Sequence, residues 1–158
     1  MYNIHQIKVS EKVYDFVNGP DGGHTNTANK YPEYNARLET QLKGARGFTA
    51  DMFQYYTNVC QVADFITEGD KLEEVFKILN GFYYNEDTNT DDTFETFVSG
   101  FTMKNGTRKD GTPYSVRNMH SLSIGDIVED KVSGSFHIVD DVGFFDITSL
   151  IIEAELVA

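Results

Sequence analysis

Few residues in this chain have the type and spacing that chemistry requires. Four histidines (His5, His24, His120, His137) and one cysteine (Cys60) are the candidates for metal binding or nucleophilic work. No two of the histidines stand in an HxxxH or HExxH arrangement, and a single cysteine does not build a thiolate zinc site. A thiol nucleophile needs a base beside it. Cys60 instead follows Val59 in an apolar run and reads as a small buried hydrophobe. His137 sits in a strand pattern as a partly buried, hydrogen-bonded imidazole, and His120 opens a Ser-Leu-Ser turn as a local hydrogen-bond partner. The acidic run Glu86-Asp87-Thr88-Asn89-Thr90-Asp91-Asp92 lacks the spacing and the closing Glu of a calcium loop. Gly19-Pro-Asp-Gly-Gly23 lacks the Lys-Ser/Thr of a phosphate loop. Asp140-Asp141, read as neighbours at a strand end, point to opposite faces and do not converge. The expectation is a protein that is not an enzyme, with no catalytic residue, no metal and no cofactor.

Charge is the stronger signal. The net charge is −12 over 158 residues, and it is unevenly placed. Residues 1–63 balance six Lys/Arg against six acids, whereas residues 64–158 hold 19 acids against seven bases. Clustered Lys/Arg is what binds a phosphate backbone, so direct nucleic-acid binding is disfavoured. An acidic face suits docking onto a basic protein surface, although acids also keep a small protein soluble. Apolar content of 40%, with 13% aromatic, agrees with a folded chain. A lone cysteine fits a reducing compartment, and neither a membrane-spanning run nor a signal-peptide pattern is present. The expected location is cytoplasmic, the host cytoplasm if the chain is phage-encoded.

The elements that must position these residues read as α+β. Tyr2–Val9 reads as a strand, and Ser10 caps a helix over Glu11–Val17. Asn18–His24 is almost all turn residues. Pro32 opens a helix over Glu33–Lys43 that Gly44 ends, and Thr49 caps a short helix over Ala50–Tyr56. Val59–Ile66 reads as a strand with imperfect alternation. Asp70 caps a helix over Lys71–Leu79, in which Leu72, Val75, Phe76 and Leu79 form one stripe and Asn80-Gly81 the stop. Residues 84–115 read as a flexible, acidic, glycine-containing insertion with turn dipeptides at Asn105-Gly106 and Asp110-Gly111. The expected whole is a single α+β domain over 1–158. In it an N-terminal strand and short helices pack on a small antiparallel β-sheet with a C-terminal β module at 119–148.

That module has a mechanical logic. Ser121 and Ser123 cap a turn, Gly125 takes a conformation other residues resist, and Asp126 holds the turn. Ile127-Val128 then begins a strand, Asp130–Ser135 a polar hairpin turn, Phe136–Val139 a strand, and Gly143-Phe144 a corner into a last strand ending at Ile147. The pattern Ser121-Leu-Ser-Ile-Gly-Asp-Ile-Val128, a hairpin, then Val142-Gly-Phe144 resembles YodL-like domains, small domains of mobile elements and phages. The order of a Leu72-Glu-Glu-Val-Phe76 helix followed by Met119-His-Ser-Leu-Ser-Ile-Gly-Asp126 is similar to uncharacterised small proteins of large tailed phages. The resemblance covers 119–147 well, 1–9 and 72–148 loosely, and departs at the insertion between Phe82 and Val116. It implies a scaffold with no catalytic residue to carry over, and a phage source.

Two functional expectations follow. The first is a non-enzymatic phage-type protein that binds and inhibits or modulates a host protein, as a DNA mimic against a defence or transcription factor. Its partner would carry a basic, nucleic-acid-binding surface, with no direct nucleic-acid or membrane contact. The residues expected to bind it are Glu86, Asp87, Asp91, Asp92, Glu95, Phe94 and Phe97. The alternative is a small-ligand or nucleotide-binding domain, with a pocket between the β module and the 72–79 helix and Arg117, Arg108 and Tyr114 as contacts. A homo-oligomer joined through Phe94, Phe97 and Phe101 is the third reading.

Overall fold

The first strand of the chain becomes the middle of the sheet. In the computed structural model, which describes residues 1–63, 70–80, 84–85, 90–91, 97–100, 103–107, 113–117 and 119–157, β1 (Tyr2–Ile7) is flanked on both sides. β2 (Tyr56–Val62) pairs antiparallel along one edge, and β8 (Ile127–Asp130) along the other. β9 (Phe136–Val139) and β10 (Phe144–Asp146) continue beyond β8, and β5 (Val98–Ser99) closes the opposite edge. The order is therefore β10-β9-β8-β1-β2-β5, antiparallel throughout. β3 (Tyr84–Asn85) pairs with β4 (Thr90–Asp91), and β6 (Met103–Thr107) with β7 (Pro113–Arg117), in two separate hairpins. Asn105-Gly106 thus lies inside a strand rather than in a turn, because the pairing of Thr107 with Pro113 puts the reversal later; Asp110-Gly111 falls outside the described residues.

Why these segments are helical is mostly local. Ser10 Oγ accepts from the Val13 amide at the start of α1 (Glu11–Val17). α2 (His24–Lys30) forms in a segment that reads as turn plus polar chain. It buries only Thr27, whose hydroxyl donates to the Gly23 carbonyl at 2.6 Å. Pro32 occupies the first turn of α3 (Pro32–Lys43), where its missing N–H costs nothing. Two short 3₁₀ helices follow, Gly44–Gly47 and Ala50–Tyr55. The expected cap at Thr49 does not form, since its hydroxyl bonds the Asp51 carboxylate instead. α4 (Lys71–Leu79) is capped by Asp70, which accepts from the Leu72 and Glu73 amides. α5 (Thr148–Val157) follows β10 directly, and the Asp146 carboxylate accepts from the Thr148 amide at 2.8 Å.

The sheet separates two clusters. On one face Tyr2, Ile4, Val62 and Val128 pack against Val75, Ile78 and Leu79 of α4. On the other, Ile127 and Ile138 meet Phe48 and the α5 residue Ile151, with Phe53 and Phe136 beside them. Fully burying one such side chain contributes roughly 1.5–3 kcal/mol. β2 begins at Tyr56, three residues before the expected start. Its register against β1 jumps from Ile4–Cys60 to His5–Asn58, which leaves Val59 as an extra residue. That bulge buries Val59 and Cys60 in succession, which is why the alternation reads as broken. No helix among the described residues is long and apolar enough to cross a membrane.

Candidate functional site

The turn before β8 positions two concave surfaces. Gly125 has φ +94°, and a Cβ there would stand 2.8 Å from Thr40 Oγ1, so only glycine lets the turn lie against α3. The Gly125 amide donates to the Val139 carbonyl, while its own carbonyl accepts from Tyr56 Oη at 2.5 Å. Burial pushes the Tyr56 phenol well above its ordinary range. Asp126 is buried, and its Oδ2 accepts from the Ser123 amide at 2.9 Å and from Gln6 Nε2 at 3.1 Å. Burial still dominates and pushes its pKa up to about 7. The Asx-type turn expected at Asp126 is therefore a long-range knot as well, reaching β1 through Gln6.

His120 sits on the same knot. Its Nδ1 lies 2.8 Å from the Ser121 carbonyl oxygen, 3.2 Å from Gln6 Nε2 and 3.5 Å from Asp126 Oδ2. Burial, with the Arg37 charge in support, lowers its pKa despite the Ser121 carbonyl. His137 is half-buried as expected, but among the described residues it makes no side-chain hydrogen bond: its Nδ1 has no partner and Nε2 stands 3.9 Å from Asp146 Oδ2.

The larger concavity is a groove of about 480 Å³ between α4 and the C-terminal module. Its floor is apolar: Phe76, Leu122, Ile124, Val139 and Phe144. Phe76 and Phe144 meet edge to face across it, ring centroids 6.4 Å apart. Its charged rim is Glu73, Asp140 and Asp141, all acidic. Both aspartates line one groove, contrary to the strand-end reading, because β9 stops at Val139 and they lie in the following turn. Asp140 Oδ1 accepts from the Asp141 amide at 2.9 Å and faces the Ala45 amide at 3.4 Å; Glu73 and Asp141 are exposed.

Of the residues expected to bind a partner, Glu86, Asp87, Asp92, Phe94 and Glu95 lie outside the described residues. Asp91 is placed by its backbone in β4, paired with Tyr84. Phe97 is half-buried, and its carbonyl accepts from the Ala63 amide at 2.8 Å, extending the β2–β5 edge. The pocket expected between the module and the 72–79 helix is present. Of its expected contacts, Tyr114 and Arg117 are placed by backbone in β7, and Arg108 lies outside the described residues. The acids on the rim were missed, although residues 119–158 carry eight acids against Lys131 alone. Among the described residues no three His, Cys, Asp or Glu side chains gather as metal ligands. Comparison with family models, curated proteins and solved structures finds nothing that matches this chain.

Proposed function

We propose that the protein works by binding another protein, and that the groove between α4 and the β module receives a basic, partly apolar segment of that partner. One observation carries this reading: an apolar floor whose charged rim among the described residues is acidic, in the half of the chain that holds the whole charge excess. Apolar side chains supply the contact energy in such a groove, while the rim selects lysine or arginine and speeds encounter. A pure nucleic-acid mimic needs charge alone, so the floor favours an inserted side chain over simple mimicry. The resemblance to phage proteins makes a host protein with a basic, nucleic-acid-binding surface the first partner to try, with modulation or inhibition as the outcome. The acidic run from Glu86 to Glu95 contributes to the same charge excess.

The test is fluorescence anisotropy with a labelled amphipathic Lys/Leu peptide and its Glu/Leu counterpart. The Lys/Leu peptide is expected to bind and the Glu/Leu peptide not. Glu73→Lys with Asp141→Lys, both exposed, should weaken binding about tenfold or more, and 0.5 M NaCl should do likewise. Glu155→Lys, at an exposed position of α5, should change little. Binding indifferent to the double reversal would remove the groove from the mechanism.

A further inference from the structure

We infer that a second cleft, formed by the end of β1, α1, α3 and Met119-His120, binds a small organic oxyanion that carries a hydroxyl or amine hydrogen. The cleft measures about 250 Å³, and Gln6, Lys8, Tyr14, Arg37 and His120 supply its polar lining. That volume is just below the roughly 300–1,000 Å³ of sites for drug-sized molecules, which suits a compact metabolite rather than a polymer.

Charge is the first reason. The chain carries −12, yet among the described residues the charged ones lining this cleft are Lys8 and Arg37, with no acid among them. Arg37 is half-buried, and among the described residues its guanidinium makes one hydrogen bond, from Nη1 to Tyr14 Oη at 2.7 Å. Among the described residues it has no carboxylate within ion-pair distance. Its charge is felt by the buried Asp126 carboxyl, whose pKa it helps to hold down, and its planar fork, open at the cleft, matches a carboxylate or phosphate. Tyr14 holds one arm of the fork and leaves the rest for a ligand.

The histidine is the second reason, and it is independent of the charge. A carbonyl oxygen only accepts, so the 2.8 Å approach of His120 Nδ1 to the Ser121 oxygen puts the hydrogen on Nδ1. Gln6 Nε2 then spends its two hydrogens on the His120 carbonyl at 2.9 Å and on Asp126 Oδ2 at 3.1 Å. The neutral ring is left with Nε2 as an acceptor, and Nε2 has no partner among the described residues. Burial lowers the pKa of the ring, which keeps that lone pair available near neutral pH. A cavity of about 10 Å³, room for one water, shares Ile7, Arg37 and His120 with the cleft and reaches Asp126. Oxyanion oxygens thus belong on Arg37 and Lys8, and a ligand O–H or N–H on His120 Nε2.

The experiment is an NMR titration of the full chain at constant ionic strength, following the His120 ring. The probes are lactate, acetate and inorganic phosphate, with chloride as the salt reference. Saturable shifts are expected with lactate or phosphate at low millimolar concentration; lactate alone marks a carboxylate site and phosphate alone a phosphate site. Acetate, lacking the hydroxyl, should bind more weakly than lactate. Arg37→Met should weaken binding about tenfold or more, and rim Lys8→Met, which disturbs no buried contact, about threefold. Lys12→Met, outside the cleft, should leave it unchanged. Shifts that fail to saturate with both lactate and phosphate, or that persist undiminished in Arg37→Met and Lys8→Met, would overturn the inference. The groove variants leave this readout untouched, so the two sites fail or succeed separately.

Discussion

Asp126 couples the turn to pH. Burial raises its pKa to about 7, so between the ordinary carboxylate value near 4 and about 7 the folded chain holds a proton that the unfolded chain has released. Stability from this group is therefore full at the acid end of that window and falls as pH rises through it, by on the order of 4 kcal/mol. His120 runs the other way. Its lowered pKa means the unfolded chain binds the extra proton below about 6.5, so its part rises with pH. The contrast of wild type with Asp126→Asn isolates the first effect. In chemical denaturation the stability of wild type relative to the variant should fall from pH 4 to 7 and then level. A flat difference would mean that Asp126 stays ionised throughout. Glu129 belongs to a lower window. Burial would raise it, but hydrogen bonds from His5 at 3.0 Å and Asn3 at 3.2 Å prevail and hold it below its usual value. Its support is present above the ordinary Glu value and is lost as pH drops through its own.

At the scale of elements, the contact of α3 with the turn before β8 depends on Gly125. Gly125→Ala should cost about 2 kcal/mol or more, because it adds left-handed strain to a close approach at Thr40. Thermal or denaturant unfolding measures this, and an unchanged midpoint would show that α3 yields freely. Gly125 and the Ser-Leu-Ser turn were legible in sequence because their reasons are local. So were α1, α3 and α4, each with its cap, proline or stripe. α2 was not, since HTNTANK has no apolar stripe and a single buried side chain. α5 was missed because the apolar residues Leu150, Ile151 and Ile152 run consecutively and mimic the tail of a strand, while its start depends on Asp146 and Thr148. The groove lies between the elements expected to frame it, and its acidic rim of Glu73, Asp140 and Asp141 has no signature in the spacing of the chain. The cleft had no signature at all: the pairing of β1 with β8 brings Gln6 beside His120, the contact of α3 with the turn before β8 adds Arg37, and no spacing in the chain announces it.

At the scale of the molecule, acids edge the groove and bases line the cleft. This separation lets a chain of net charge −12 offer two opposite surfaces. The salt responses should oppose their ligands separately: NaCl competes with a basic peptide at one and with an anion at the other.

The sheet order also governs how the chain is made. Tyr2 pairs with Asp130, and Ile4 with Val128, so the central strand waits for a partner made more than a hundred residues later. At roughly 5–20 residues per second that wait on the ribosome is about 6–25 s, longer than the ms–s in which such β-rich domains fold once complete. A fragment ending at residue 118 lacks β8, β9 and β10 and should aggregate or remain protease-sensitive on expression. A soluble, protected fragment would show that β1 and β2 suffice with the helices. For the growing chain, the β8 edge of β1, which carries Tyr2 and Ile4, stays unpaired throughout that interval even after β2 is made. That edge is the natural target of a chaperone, and the last quarter of the message releases it.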